Sequence, residues 1–328
     1  MFDLNLLWPV GLAFAASLLI LGGLLHSQWG RRLALDQPNQ RSLHTVAVPR
    51  VGGIAIVPGA LLAWSLTPAA SPLLASLIAV LALISAIDDR RGLPASLRLG
   101  VHCVVALVFA LSLGLPLAWL TGALMLYLVW MSNCYNFMDG ADGLAGGMAL
   151  FGFGAYGIAA HLAGEAGVAV MSFSLAASAM AFLFFNFAPA RVFMGDAGSI
   201  SLGFAAAALG AIGVQKALCP AWFPLLVFSP FCVDASLTLG KRIWRGERFW
   251  QAHREHYYQR LVRMGWSHGR TALCAYALML GTAASALLGM GLGDFAQRLM
   301  LLAWALIYAI LLRAIDRRWQ RARLGENG

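Results

Sequence analysis

Along this chain long apolar stretches alternate with short polar interruptions. Apolar blocks of about 17–22 residues cover 5–25, 51–67, 71–87, 99–115, 118–135, 143–161, 167–187, 197–214, 219–239, 271–291 and 296–313. A helix needs about 20 mostly apolar residues to cross roughly 30 Å of hydrocarbon. Runs such as Leu73 to Ile87 and Ala296 to Leu312 are apolar almost throughout, whereas a barrel strand would alternate over about ten residues. The pattern predicts an all-α, polytopic membrane helical bundle of about eleven transmembrane helices.

Composition agrees: 60% of the 328 residues are apolar and only 11% are charged, against about 25% charged in a soluble domain. Charge then orients the bundle. Of the 23 lysines and arginines, 21 fall in one alternate set of loops and in the C-terminal tail; the opposite loops hold only Lys216 and Arg298. Because basic loops stay in the cytoplasm, the N-terminus is expected in the periplasm and the C-terminus in the cytoplasm. Residues 240–270 form the large cytoplasmic loop and 314–328 a basic cytoplasmic tail, within a single membrane domain over 1–328. Topology accounts for the net charge of +9, so no nucleic-acid partner is expected. The first block lacks a basic leader and is too long for a typical signal peptide core. Five cysteines without a CxxC pair read as packing residues.

An acid near hydrocarbon is costly and usually has a task. Asp88, Asp89, Asp139, Asp142 and Asp196 all fall at the cytoplasmic ends of predicted spans, and Asp234 falls inside the ninth, facing a cavity or a neighbouring helix. Adjacent Asp88 and Asp89 point about 100° apart on a helix, so one suits a cation and the other a substrate, or both belong to a helix end tied to Arg90 and Arg91. Asp139 and Asp142 share one helical face in Asn133-Cys-Tyr-Asn136-Phe-Met-Asp139-Gly-Ala-Asp142-Gly143, or else sit in an interhelical turn. Asp196 suits a helix N-cap with Ser199 at N3; the same geometry would hold a carboxylate and free N–H groups where metal and phosphates meet. His253 and His256 stand three apart in an aromatic, basic loop, a spacing that suits phosphate contact or an interfacial helix; no third ligand completes a zinc site. Arg41, His44 and Arg50 lie in a turn-rich loop suited to lipid head groups or a diphosphate, although orientation alone would explain their charge.

Together these groups make a kit for metal-assisted phosphoryl chemistry. Asp88-Asp89, Asn136-Phe-Met-Asp139-Gly-Ala-Asp142-Gly-Leu, Val192-Phe-Met-Gly-Asp196-Ala-Gly-Ser and His253-Arg-Glu-His256 give the chain a close resemblance to the polyprenyl-phosphate N-acetylhexosamine-1-phosphate transferases of glycosyltransferase family 4. The motifs occur in the family's order between residues 36 and 260. The eleven-span, N-outside topology resembles the O-antigen and enterobacterial common antigen branch. The loop at His253 departs from the consecutive histidines of the cell-wall branch.

The resemblance implies transfer of an N-acetylaminosugar 1-phosphate from a UDP-sugar to undecaprenyl phosphate, with UMP as the second product and Mg²⁺ or Mn²⁺ as cofactor. It implies metal ligation by Asp196 with Asp89 nearby, and an Asp88 that orients or deprotonates the lipid phosphate. Asn136, Asp139 and Asp142 would line the nucleotide side, His253, Arg254 and His256 would bind the diphosphate, and Arg41, His44 and Arg50 would assist at the lipid phosphate. The setting would be a bacterial inner membrane with the site on its cytoplasmic face. A homodimer is compatible with this reading. The rival class, a transporter or permease, would place acids and broken helices near the midplane, often in paired repeats. An intramembrane zinc hydrolase lacks its HExxH.

Overall fold

The computed structural model describes residues 4–27, 29–37, 47–248, 251 and 253–325. The first helix, α1 (Leu4–His26), is followed by the short α2 (Trp29–Leu33) and a two-residue strand β1 (Leu35–Asp36), which pairs antiparallel with β2 (Val48–Pro49). The body of the bundle is α3 (Gly52–Ser65), α4 (Pro72–Arg91), α5 (Ala95–Ser112), α6 (Ala118–Phe137), α7 (Leu144–Leu162), α8 (Ala166–Asn186) and α9 (Asp196–Gln215). After it come α10 (Trp222–Val227), α11 (Ser229–Trp244), α12 (Tyr257–Arg263), α13 (His268–Gly289) and α14 (Asp294–Gly325).

Every apolar block lands on helix, and the chain is an all-α, multi-pass membrane protein. Among the described residues eight helices are long and apolar enough to span a bilayer: α1, α4, α5, α7, α8, α9, α13 and α14. At 14 residues α3 is shorter, and Trp119, Tyr127, Trp130 and Asn133 dilute the apolar content of α6.

Two blocks differ from their expected form. The 219–239 stretch is two helices, because Pro230 has no N–H to donate to the Leu226 carbonyl; the Ser229 hydroxyl donates to that carbonyl instead, at 2.7 Å. The last helix runs well past Leu312, since the Arg-rich segment that follows, with Ala314 and Ala322, favours helix once outside the apolar zone.

The most enclosed span is α9. Its small residues let neighbouring helices approach closely: a Cβ on Gly203 would stand 2.5 Å from the Met131 carbonyl oxygen of α6, and one on Gly53 of α3 would stand 2.1 Å from the Gly198 nitrogen. These contacts draw the start of α9, the start of α3 and the ends of α4 and α6 to one end of the bundle.

Candidate active site

The segment leading into α9 is pinned by backbone. Gly52 and Gly53 donate to the Phe193 and Met194 carbonyls at 2.9 and 2.8 Å, and Phe193 donates to the Pro49 carbonyl at 2.8 Å. Gly195, at φ 74°, occupies the N-cap, a left-handed position that favours glycine. The spacing had suggested Asp196 for that place. Instead Asp196 is the first helical residue, and capping comes from another helix: Asp89 accepts the Ala197 N–H on Oδ2 at 3.2 Å. With Asp89 against Cα of Gly195 and Asp196 beside it, two carboxylates crowd the positive end of the α9 dipole.

Asp88 points elsewhere, as adjacent helical residues must. Its Oδ1 accepts the Leu93 N–H at 2.6 Å and its Oδ2 the Arg98 guanidinium at 2.6 Å. The same Arg98 nitrogen lies 3.6 Å from Asp196 Oδ2, so the arginine joining these acids is Arg98 of α5, not the adjacent Arg90 and Arg91. From α6, Asn136 donates to Asp196 Oδ1 at 2.8 Å and to the Ser199 hydroxyl at 2.9 Å. Asp139, in the loop after α6, adds a third carboxylate facing Asp196 and Asp89; burial and the Asp196 charge push its carboxyl up to about 7. Arg50 is near enough to Asp89 and Asp196 to feel both and is itself held by Asp36 at 2.7 Å.

Asp142 is turned away from that cluster. It accepts the Ala190 N–H at 3.0 Å on Oδ2, and its Oδ1 lies 3.1 Å from His268 Nδ1 at the start of α13. Asp139, Asp142, Asp36 and His268 line one small cavity of about 60 Å³. Arg41 and His44 lie outside the described residues.

The histidine loop reaches the cluster through the end of α6. The His256 ring stacks on Phe137, ring centres 6.0 Å apart, and the Tyr258 hydroxyl donates to the Phe137 carbonyl at 3.1 Å. His256 is buried and its Nδ1 lies 3.2 Å from Asp234 Oδ1. The neighbour that Asp234 faces is α12: its carboxylate accepts the N–H groups of Tyr257 and Tyr258 at 2.9 and 3.1 Å and caps that helix, while Gln259 Oε1 accepts the His256 N–H at 3.2 Å. Around it, Arg242 and Arg245 pair with Glu247 and Glu255. Among the described residues Arg254 is seen to accept, on its backbone carbonyl, from Arg263 Nη1 at 3.3 Å. His253 is half-buried 4.9 Å from the His256 ring. Burial, with the His256 and Arg242 charges, lowers its imidazole to about 4. It is therefore neutral at pH 7, and site-selective NMR should show no titration of His253 between pH 6 and 8; a midpoint near the ordinary ~6.5 would contradict this environment.

The fold thus gathers Asp88, Asp89, Asn136, Asp139, Asp196 and Arg50 at the start of α9, sets His256 on the end of α6 with His253 next to it, and sets Asp142 against α13; it does not bring Arg254 against these groups among the described contacts. Reading the residues missed Arg98, His268, Gln259 and the capping role of Asp234. Arg98 and His268 signalled only as polar side chains next to span ends, and Gln259 only as one polar residue of the large loop. Among the described residues no three acids or histidines stand in a finished metal cage. The donor set nonetheless fits a hard dication, since Mg²⁺ usually takes one or two carboxylates and completes its shell with water and substrate phosphates.

The architecture and this cluster define a polytopic membrane protein with a carboxylate-rich site at the helix ends. Residues 71–214, which contain Asp88, Asp89, Asn136, Asp139 and Asp196, match glycosyl transferase family 4. It is 29% identical over 266 residues, 75% of this chain and 74% of the relative, to the probable undecaprenyl-phosphate N-acetylglucosaminyl 1-phosphate transferase of Bacillus subtilis. It is 28% identical to the undecaprenyl-phosphate alpha-N-acetylglucosaminyl 1-phosphate transferase of Yersinia pestis, over 88% of this chain and 86% of the relative. To the phospho-N-acetylmuramoyl-pentapeptide-transferase of Levilactobacillus brevis it is 36% identical, over 51% of this chain and 50% of the relative.

Proposed function

We propose that the chain transfers an N-acetylaminosugar 1-phosphate from a UDP-sugar to undecaprenyl phosphate, as the initiating step of O-antigen or related surface-polysaccharide synthesis. The observation that carries this reading is the meeting of Asp89, Asp139 and Asp196, drawn from three separate parts of the chain, at the N-terminus of α9. The names of the relatives supply the reaction class. A lipid-phosphate oxygen attacks the sugar-bearing β-phosphorus, the bond from that phosphorus to the bridging oxygen breaks, and UMP leaves with the electron pair. The acceptor is already largely ionised at neutral pH, given a second pKa near ~6, so the demand for a base is small.

Asp196 and Asp89 would hold Mg²⁺ or Mn²⁺, which supplies charge neutralisation for the diphosphate and alignment for in-line displacement. Asp88, fixed by Arg98, orients the acceptor phosphate. A cleft of about 280 Å³ opens beside Asp89, with Leu33, Ile54, Ala86 and Ile87 as an apolar wall and Arg90 and Arg91 on its rim, which suits a phosphate carried on a lipid. Asn136 and Asp139 face the nucleotide, and Asp142 shapes the same loop through His268. Arg254 and the neutral His253 meet the diphosphate, while His256 holds that segment in place. Eleven spans, a periplasmic N-terminus and a cytoplasmic site in a bacterial inner membrane complete the reading.

Purified protein mixed with undecaprenyl phosphate, Mg²⁺ and a panel of UDP-GlcNAc, UDP-GalNAc and UDP-linked 6-deoxy aminosugars should release UMP and form lipid-linked sugar with at least one donor. Exhaustive chelation should stop the reaction and added Mg²⁺ should restore it. Intact nucleotide with every donor would remove the transferase reading.

A further inference from the structure

The long last helix ends in a contact that the chemistry above leaves unused. From Asp294 to Asp316 a helix climbs roughly 33 Å at 1.5 Å per residue, about one hydrocarbon thickness, so Asp316 emerges at the membrane surface. There its carboxylate joins one partner from the last turn of α11 and two from α12. Oδ2 accepts from Lys241 Nζ at 2.6 Å and from the Tyr257 hydroxyl at 3.2 Å, and Oδ1 accepts from Arg260 Nη1 at 2.8 Å. The Lys241 ammonium and the Arg260 guanidinium both lie over the Tyr257 ring, at 5.1 and 4.8 Å, and the Arg263 guanidinium lies 4.7 Å from the Trp319 ring one turn further along α14.

This arrangement fastens the second flank of α12. Asp234 caps its first turn and the Tyr258 hydroxyl holds the Phe137 carbonyl, but both tethers grip the start of α12, and a seven-residue helix is far below the length that is stable alone in water, so its far flank depends on a contact of its own. We propose that Asp316 is a positioning residue that clamps α12 to the end of α14 and so fixes how His253 and Arg254 meet the diphosphate. It does so through neutralisation: with Lys241 and Arg260 consumed by Asp316, and Arg242 and Arg245 by Glu247 and Glu255, the loop offers the ligand a defined remainder of its charge. A networked carboxylate with several charge-assisted partners holds geometry far better than a lone surface pair. The spanning part of α14 is mostly lipid-facing, so loss of the clamp should not unfold the bundle.

The kinetic part of this proposal rests on the transferase reading, and the structural part does not. In full-length protein in lipid nanodiscs, Asp316→Ala should raise hydrogen exchange of the Tyr257–Arg260 amides at least tenfold and leave the α13 amides unchanged. UMP release, with the donor that the wild-type chain accepts from the panel, should lose about tenfold in kcat, with the KM for undecaprenyl phosphate changed less than twofold. Asp316→Glu should recover both readouts to within about threefold. If Asp316→Ala does not fold, the nearly isosteric Asp316→Asn serves in its place. Unchanged exchange in the variant overturns the clamp, and faster exchange with undiminished kcat overturns its positioning role. A wild-type chain that releases no UMP fails the transferase reading instead, and the exchange data still decide whether Asp316 holds α12.

Discussion

Asp196→Asn and Asp89→Asn each reduce UMP release by about 10³-fold or more, the scale on which one preorganised electrostatic contact counts at a reacting phosphate. The two changes act differently. Asp196 stands at the first turn of α9 with one oxygen already on Asn136 and the other near Arg98; an amide there keeps the volume and loses the charge that a dication needs. Asp89 also caps α9 through the Ala197 N–H, and an asparagine side-chain oxygen can still accept that bond. Both variants should therefore keep the unfolding temperature of the wild type while losing turnover. Near-normal turnover in either variant would remove that residue from the site.

The second large effect is expected at Asp234, which no phosphate need touch. Removing its carboxylate in Asp234→Ala orphans the buried N–H groups of Tyr257 and Tyr258 and frees His256. Each orphaned donor costs about 1–3 kcal/mol, enough to release a seven-residue helix from its seat. Turnover should fall about 100-fold, the cost of a small misplacement near the reacting groups, with fast exchange confined to α12. Asp234→Asn retains an acceptor and should lose only about tenfold. Equal losses in both variants, or loss without local loosening of α12, would contradict a capping role.

The apolar pattern located the long helices because lipid imposes length and hydropathy on each span separately, and missed the short α2 and α12 outside the apolar blocks. It did not reveal the break at Ser229-Pro230, since a proline inside a span is common. The site was readable as a set of suspicious acids, but the pairings were not. Asn136 reaches Asp196 across 60 residues, Asp89 reaches Ala197 across 108, and Asp142 meets the start of α13 across 126. Periodicity along one helix carries no information about such partners. For the same reason Asp196 looked like its own N-cap, although Gly195 and Asp89 share that task, and Asp316 looked like tail charge although it meets Lys241 and Arg260. Arg98 was legible only as one more basic residue of a cytoplasmic loop, until α5 placed it between Asp88 and Asp196.

The central claim is that carboxylates from α4 and α9 share one dication at the end of the bundle. Titration of metal-stripped protein with Mn²⁺ in the presence of UDP, read by electron paramagnetic resonance, tests it most directly. The prediction is one bound Mn²⁺ per chain, abolished by Asp196→Asn and weakened at least tenfold by Asp89→Asn; the same stoichiometry and affinity in both variants would contradict it.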